Sequence, residues 1–339
     1  MKTAIPYIDL RAGTPLDLLR ARVDGARALI RAASRTYGPL GRAVSLAALP
    51  LGDNASRAWL ERSANPYLEE IRQIAAITGM KGAWLLNVCF EWGCTSGAWN
   101  AEGGPLLRRV LDWPFPALGE HLVVTHQNGE AGEFLNVTWP GMSGVLNASA
   151  TGRFAAAINQ APGRKRNTGF AGDWLRARID VRRTQALPPA HLLRHVFEKA
   201  PDYAAARAML CETPLAVPAI FILAGVSQDE GAVIERTETG YALHAMNAGR
   251  ICATNHFEGR INDRGAGWRA RPIDSAGRLD AARRLDGKDA EFGWFVPPVA
   301  NINSRLAMTA SPATGALRVM GTDGLTPVTE IFRHGAAPA

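Results

Sequence analysis

The sequence predicts an α+β protein in which two antiparallel sheets pack together and helices lie outside them. Three observations indicate this fold class: the first ninety residues are helical in pattern, short strand-like segments follow residue 94, and a helical stretch then separates these from further strands. The chain has 339 residues, of which 47% are apolar, so it can bury a large core.

The segment of residues 1–93 is predicted to be mainly helical. Thr14 is a good N-cap and Pro15 suits the first helical position, so one helix opens there. Asn65-Pro66 opens another helix, which Gly79 closes. Nothing near residue 93 resembles a flexible linker, and we therefore expect one integrated domain.

Residues 94–339 are predicted to carry the strands, because short apolar segments there alternate with Gly-rich or polar connections that favour hairpins. A helical pattern occupies residues 188–210. The predicted strands are 121–126, 132–139, 144–149, 153–159, 219–225, 231–237, 241–247 and 316–320.

Composition excludes several functional classes. The net charge of +7 comes from basic residues spread along the chain without a long basic block, so no nucleic-acid partner is expected. No signal-peptide core begins the sequence, and the longest apolar run, residues 216–226, is too short for a membrane anchor. The chain is therefore expected to be cytoplasmic.

Cofactor and metal motifs are also missing from the sequence. RGAGWR at 264–269 lacks the third glycine of a dinucleotide-binding loop, and no cofactor is expected. The four cysteines form no CxxC pair. His191 and His195 have the spacing of two metal ligands on a helix, but no third ligand accompanies them. We therefore predict an exposed helix face there and no metal.

The stretch FEWGCTS at 90–96 poses the functional question. Cys94 is either a small buried apolar residue or, after cleavage of the Gly93–Cys94 bond, a new N-terminus. An α-amine and a thiol have similar ordinary pKa values, so the freed amine of Cys94 could act as base for its own thiol. Attack of that thiol on the Gly93 carbonyl would give a thioester, which water then hydrolyses.

The motif CTS at 94–96, followed by GPLLRRVLDW, resembles the cysteine N-terminal-nucleophile (Ntn) amidohydrolases. The acid ceramidase and N-acylethanolamine acid amidase group is most similar; choloylglycine hydrolases, penicillin V acylases and isopenicillin N acyltransferases are more distant. The similarity covers most of residues 83–285 and is most specific at 218–257. It implies a four-layer αββα fold and autocleavage into an α-subunit, 1–93, and a catalytic β-subunit, 94–339, which stay associated.

The resemblance also implies six site residues. Cys94 would be the nucleophile, Asp112 would orient the freed amine, and Arg109 would stabilise the thiolate. RFAAAINQ ends in Asn159, which would contact the substrate amide or complete the oxyanion site. CATNHF and SAGRLDAARRL bring two further residues by the same similarity: Asn255 as the oxyanion donor and Arg278 to balance charge near the nucleophile.

The sequence departs from the family pattern at two places near the nucleophile. The family usually has Gly-Arg-Asn where this chain has Arg108-Arg109-Val110, and an isoleucine where this chain has Gly97. The first of these departures concerns the substrate pocket rather than the fold.

The resemblance implies an autoprocessed amidohydrolase that cleaves a linear N-acyl amide with an apolar acyl group through an acyl-Cys94 thioester. Three alternatives stay open. The same intermediate could pass its acyl group to an amine, as in an acyltransferase. Cys94 could instead work with His256 as an uncut, papain-like thiol enzyme, or the protein could be a non-catalytic member of the fold.

Overall fold

The computed structural model describes residues 2–36, 42–88, 93–259, 261, 267–269, 274–286 and 291–335. Its helices are α1 (Pro15–Ala21), α2 (Val23–Thr36), α3 (Arg42–Arg62), α4 (Leu68–Thr78), α5 (Ala83–Leu86), α6 (Gly169–Val181), α7 (Pro189–Lys199), α8 (Tyr203–Glu212) and α9 (Ser275–Arg284). Its strands are β1 (Tyr7–Asp9), β2 (Gly93–Ala101), β3 (Gly104–Asp112), β4 (Val123–Gly129), β5 (Gly132–Thr138), β6 (Asn147–Ala150), β7 (Phe154–Gln160), β8 (Gly163–Arg164), β9 (Ala219–Ala224), β10 (Gly231–Arg236), β11 (Tyr241–Ala245), β12 (Arg250–Ala253), β13 (Trp268–Arg269), β14 (Ser304–Ser311), β15 (Ala316–Asp323), β16 (Thr326–Pro327) and β17 (Phe332–His334).

Two large sheets form the centre of the molecule. One has the strand order β1-β4-β5-β6-β7-β9-β10-β11, and the other has β12-β2-β3-β14-β15 with β16 and β17 at its far edge. Strands β2 and β3 of the second sheet pack on β7 and β9 of the first. Helices α7 and α8 cover the outer face of the first sheet, and α9 covers the second. The layers are thus helix, sheet, sheet, helix, as predicted.

The N-terminal segment is built into this core. Strand β1 pairs with β4 in parallel, with Tyr7 beside Val124, and so departs from the predicted antiparallel pattern. Helices α1, α2, α4 and α5 pack against one another. Thr14 opens α1 as predicted, and its N–H donates to Asp17 Oδ2 at 2.8 Å. Gly79, in the left-handed conformation with φ of 62°, closes α4 as predicted.

A buried ionic network joins this segment to the rest of the chain. Arg194 of α7 donates to Glu70 Oε1 at 2.7 Å and to Glu198 Oε1 at 2.8 Å. Its guanidinium also lies over the ring of Tyr67, 4.1 Å from the centroid, and the Tyr67 hydroxyl donates to Glu198 Oε2 at 2.7 Å. Tyr67 and Glu70, which precede position 94, are therefore joined by polar contacts to Arg194 and Glu198, which follow it.

The expectation that His191 and His195 lie on an exposed helix face is wrong for His191. Its side chain is fully buried beside Tyr67, and its Nδ1 lies 2.9 Å from Asn65 Nδ2. Burial, and secondarily the charge of Arg194, lowers the pKa of His191 to about 3. The turn at Asn65 fills the space over this face of α7, a tertiary contact that helical spacing does not reveal.

We expect His191 to make the fold acid-sensitive. A histidine whose folded pKa lies below its unfolded value of about 6.5 binds protons more readily when unfolded. The contribution of neutral His191 to the stability of the folded state is therefore complete above pH 6.5, and it is lost as pH falls toward 3. At pH 5 the loss in the free energy of unfolding is about 2 kcal/mol. In urea titrations at pH 7.5 and pH 5, His191→Gln should show a smaller pH difference than wild type. His195→Gln, on the same helix but outside the network, is the control. If the free energy of unfolding changed equally between the two pH values in all three proteins, the prediction would be contradicted.

Candidate active site

The hairpin of β2 and β3 positions the candidate nucleophile. Across it Cys94 lies opposite Leu111, and Ser96 lies opposite Arg109. Because side chains alternate along a strand, these four residues share the face that packs on the first sheet. All are buried, so the chemistry-bearing groups lie between the two sheets.

Cys94 is fully buried, and the chain continues through the Gly93–Cys94 peptide as part of β2. The Cys94 N–H donates to Asn255 Oδ1 at 2.9 Å, and Sγ lies 3.7 Å from the Ile158 carbonyl oxygen. Burial raises the pKa of the thiol. The charge of Arg109 opposes this rise, as does the Gln160 N–H, which faces the sulfur. In the uncut chain Cys94 is therefore a thiol at neutral pH, beside groups that favour its thiolate.

Arg109 is held by Asn159 and Ser96. Its Nη1 donates to Asn159 Oδ1 at 2.5 Å and to Ser96 Oγ at 3.2 Å, and Ser96 Oγ donates to Asn159 Oδ1 at 2.8 Å. The Nε and Nη2 of Arg109 are buried and have no hydrogen-bond partner among the described residues. A fully buried guanidinium with unused donors favours negative charge on a neighbouring group, such as the Cys94 thiolate.

Asn159 lies in this cluster, but its side chain is already occupied. Both hydrogens of Nδ2 are engaged, one with the Ala253 carbonyl at 2.9 Å and the other with the Thr254 carbonyl at 3.1 Å. A substrate contact through Nδ2 would need one of these bonds to break. The contacts of Asn159 are those of a residue that positions Arg109 and joins β7 to the end of β12.

Asn255 and Arg278 enclose the Gly93–Cys94 peptide from the other side. Arg278 Nη2 donates to Asn255 Oδ1 at 2.7 Å, and Nη1 donates to the Cys94 carbonyl oxygen and to Thr95 Oγ1. Asn255 Nδ2 donates one hydrogen to the Gln160 carbonyl at 2.9 Å, and its second hydrogen has no partner among the described residues. That hydrogen is the one that an oxyanion could accept.

Asp112 stands at the end of β3, directly opposite Gly93. Its Oδ1 accepts a hydrogen bond from Ser304 Oγ at 2.7 Å, and Oδ2 lies 3.4 Å from Arg278 Nη1. Burial raises the pKa of Asp112, and the charge of Arg278 opposes that rise. The carboxyl group therefore lies beside the peptide whose cleavage would free the Cys94 amine.

The structure thus brings together all six predicted site residues around the Gly93–Cys94 bond. The sequence did not predict four further residues of the site, Ser96, Gln160, Ser275 and Ser304. Ser96, inside the CTS motif, could have been found from the alternation along β2. Gln160, Ser275 and Ser304 contribute a backbone N–H, a hydroxyl under Asn255 and a hydroxyl on Asp112, and no local motif marks them.

His256, the partner of Cys94 in the papain-like hypothesis, lies elsewhere. Its Nδ1 is 2.7 Å from Ser275 Oγ, and among the described residues no hydrogen bond joins it to Cys94. Within the same residues no three His, Cys, Asp or Glu side chains are grouped to hold a metal ion. In the part of the chain that is described, no helix has both the length and the apolar character needed to cross a membrane.

The two departures from the family pattern face away from the thiol. Gly97 and Arg108 are direct partners across the hairpin, on the outer face of the second sheet. Val110, where the family usually has an asparagine, packs on the same face with Trp99 and Trp294. A Cβ at Gly97 would lie 2.5 Å from the Ile251 carbonyl oxygen and 2.7 Å from the Trp99 ring. The Arg108 guanidinium lies between the rings of Trp99 and Trp294, 5.2 and 5.7 Å from their centroids. Neither residue reaches the inner face.

Comparison with known proteins identifies relatives. The chain is 29% identical over 185 residues to the N-acylethanolamine-hydrolyzing acid amidase of Oryctolagus cuniculus, covering 52% of this chain and 49% of that protein. It is 27% identical over 224 residues to the acid ceramidase of Heterocephalus glaber, covering 59% of this chain and 53% of that protein. The chain therefore spans about half the length of the curated relatives it matches.

A solved structure agrees with the fold. The Caenorhabditis elegans N-acylethanolamine-hydrolyzing acid amidase ortholog aligns over 65% of this chain and 93% of that one, with a TM-score of 0.53 and 20% identity. No protein-family model matches the chain. The relatives and the shared layers confirm the predicted resemblance and the αββα Ntn-hydrolase fold.

Proposed function

We propose, because this chain is a homologue of the acid amidases and acid ceramidases with an Ntn-hydrolase fold, that it is an autoprocessed amidohydrolase acting on a linear N-acyl amide. The observation that carries the proposal is the placement of Cys94. Its thiol and the Gly93–Cys94 peptide are enclosed by Arg109, Asp112 and Arg278 between the two sheets.

Maturation would begin with attack of the Cys94 sulfur on the Gly93 carbonyl carbon. The C–S bond forms, the peptide C–N bond breaks, and the thiol proton ends on the released Cys94 amine. Water then hydrolyses the thioester to give a Gly93 carboxylate and a free thiol. Arg109 lowers the cost of the thiolate that attacks, and Asn255 holds the peptide nitrogen that leaves.

Turnover would repeat this chemistry on a substrate amide. The freed amine takes the thiol proton, the sulfur attacks the substrate carbonyl, and the amine then protonates the leaving nitrogen as the C–N bond breaks. Water then hydrolyses the acyl-Cys94 thioester, which releases the acid and restores the thiol. The second hydrogen of Asn255 Nδ2 is the candidate donor to the oxyanion. Asp112, opposite Gly93, would accept a hydrogen bond from the new amine and orient its lone pair toward the sulfur.

The two fragments should remain associated after the cut. Strand β1 stays hydrogen-bonded to β4, and Arg194 stays paired with Glu70 in a buried site. The Glu330 N–H also donates to the Thr3 carbonyl at 2.9 Å. Dissociation would also expose apolar side chains of the N-terminal segment, such as Ile5 and Leu29, which lie in or against the shared core, so it would be unfavourable.

An apolar cavity of about 60 Å³ between the N-terminal helices and the catalytic segment is the candidate site for part of the acyl chain. Leu29 and Leu86 line it from the N-terminal side, and Trp113 and Met142 line it from the other. These residues belong to or pack against the same apolar core as Cys94. An apolar acyl chain would find a matching surface there.

Filling this cavity should select against long acyl chains. Leu29→Trp adds bulk to its wall, so KM for a hexanoyl amide should rise about tenfold while KM for an acetyl amide changes little. Leu51→Trp, at an exposed position on α3, is the control. An equal effect of Leu29→Trp on both substrates would place the acyl chain elsewhere.

The proposal is tested by following both products of an N-acyl amide by mass spectrometry. We expect a free carboxylic acid and a free amine in equal amounts from wild type, and neither from Cys94→Ala. Adding a second amine separates hydrolysis from acyl transfer, because a transferase would form the new amide in place of the acid. Absence of both products from a cleaved, folded wild type would overturn the amidohydrolase proposal.

A further inference from the structure

We propose that Ser275 and His256 are positioning residues that fix Asn255 for the cleavage chemistry. The inference rests on the proposed function, since it concerns the same site. It assigns to His256 a role different from that of a base for Cys94. It also assigns to the first residue of α9 a role beyond opening the helix.

Ser275 Oγ is the centre of a compact cluster behind Asn255. The Asn255 N–H donates to it at 2.9 Å, His256 Nδ1 lies 2.7 Å away, and Thr254 Oγ1 lies 2.9 Å away. Thr254 Oγ1 also donates to the Ser275 carbonyl at 2.9 Å. One hydroxyl therefore contacts all three residues of the 254–256 segment.

The hydrogen atoms in this cluster can be arranged without an unsatisfied group. When His256 Nδ1 carries no proton, the Ser275 hydroxyl donates to it, and Thr254 donates to the Ser275 carbonyl. When Nδ1 carries a proton, it donates to Ser275 Oγ, whose hydrogen then turns to Thr254 Oγ1. In both arrangements the Asn255 N–H keeps its acceptor, so the hold on Asn255 survives either state of the imidazole.

The hydrogen bond from the Asn255 N–H to Ser275 Oγ is important because the Asn255 side chain contacts the groups at the Gly93–Cys94 bond. Its Oδ1 accepts from both the Cys94 N–H and Arg278 Nη2, and its Nδ2 presents the unused hydrogen. Rotation of its backbone would move all three interactions together. A misplacement of about 1 Å in such a site can cost about a hundredfold in rate.

Removing the α9 hydroxyl does not remove the cap of the helix. Asp274 is the N-cap, and its side chain accepts from the Gly277 N–H at 2.9 Å. Ser275→Ala therefore deletes the contact with Asn255 while α9 keeps its start. Ser275→Thr retains the hydroxyl and serves as the conservative variant. His256→Asn places an amide near the position of Nδ1, and His256→Leu removes the polar group.

The experiment measures the self-cleavage rate by intact mass, and kcat and KM on an N-acyl amide. Ser275→Ala and His256→Leu should lower the cleavage rate and kcat at least about tenfold with little change in KM, and Ser275→Thr and His256→Asn should recover most of the loss. Ser63→Ala, another buried serine far from the site, is the control for general loosening. Equal losses in the Ser63 variant, or no recovery by threonine, would overturn the proposal.

A double substitution separates positioning from a purely structural effect. On an Asn255→Ala background, Ser275→Ala should cause little further loss, because its effect passes through Asn255. A full additional loss would contradict the proposal. If wild type neither cleaves itself nor hydrolyses amides, the proposed function fails, and the Asn255 side-chain amide resonance still tests the contact. That resonance should shift in Ser275→Ala and return in Ser275→Thr; an unchanged resonance would refute the inference.

Discussion

Replacing Cys94 by alanine should leave a single full-length chain of 36.4 kDa, whereas wild type should yield two fragments on denaturation. The fragments should be roughly 10 and 26 kDa, in proportion to 93 and 246 residues. The physical reason is that the sulfur of Cys94 is the only atom of this residue that can form the thioester. Denatured intact mass of the two proteins, purified side by side, is the measurement.

The other described cysteines provide the control for this substitution. Cys211 and Cys252 are buried like Cys94, and burial raises the pKa of both thiols. Cys211→Ala and Cys252→Ala should therefore cleave as wild type does. A wild type that stays uncut at acidic and neutral pH would point to a dormant precursor, a different thiol mechanism or a fold without this chemistry. Cleavage that persists in Cys94→Ala would exclude Cys94 as the nucleophile.

Replacing Arg278 by methionine should abolish cleavage and also destabilise the fold. Arg278 donates to the Cys94 carbonyl and to Asn255, and it is the counter-charge nearest to the fully buried Asp112. Its loss removes the nearest positive charge from a fully buried carboxyl group, which costs about 3 kcal/mol. Urea unfolding reports the stability, and intact mass reports the cleavage.

The pH dependence and a second substitution distinguish the two effects of Arg278. Burial already raises the pKa of Asp112, and a carboxyl group with a folded pKa above its unfolded value stabilises at low pH and loses this stabilisation as pH rises. The defect of Arg278→Met should therefore be larger at pH 8 than at pH 5. Adding Asp112→Asn should recover most of the stability but none of the cleavage.

Arg153 provides the matched control for this experiment. It is a buried arginine that donates to four backbone carbonyls, two at the end of α7 and two at the start of β5. Arg153→Met should lower stability while self-cleavage continues. If Arg278→Met cleaves at the wild-type rate, Arg278 has no part in the reaction.

Much of the fold could be predicted because local signals and burial agree. Thr14 and Gly79 mark helix ends through backbone chemistry that operates within one turn. The strands after residue 121 carry short apolar runs between turn residues, and most were predicted within a few residues. The six site residues were found through similarity to a family, and only Cys94 had an independent chemical argument.

The parts that could not be predicted depend on contacts distant in sequence. Strand β14 is buried at every position, so it lacks the alternation that marks a half-exposed strand. Helix α6 carries exposed apolar residues such as Leu175, and no apolar stripe distinguished it from a loop. Ser304 reaches Asp112 only because β14 pairs with β3, a register that no local pattern specifies.

The pairing of positions 97 and 108 on the outer face of the β2–β3 hairpin predicts which residues relatives should have there. The family pattern places a glycine opposite an isoleucine, and this chain places Arg108 opposite Gly97, so the bulky member of the pair has changed strands. The ring of Trp99 occupies the space that a side chain at 97 would need. The two positions should therefore covary among homologues, with their summed volume conserved, while Cys94 and Arg109 on the opposite face stay fixed.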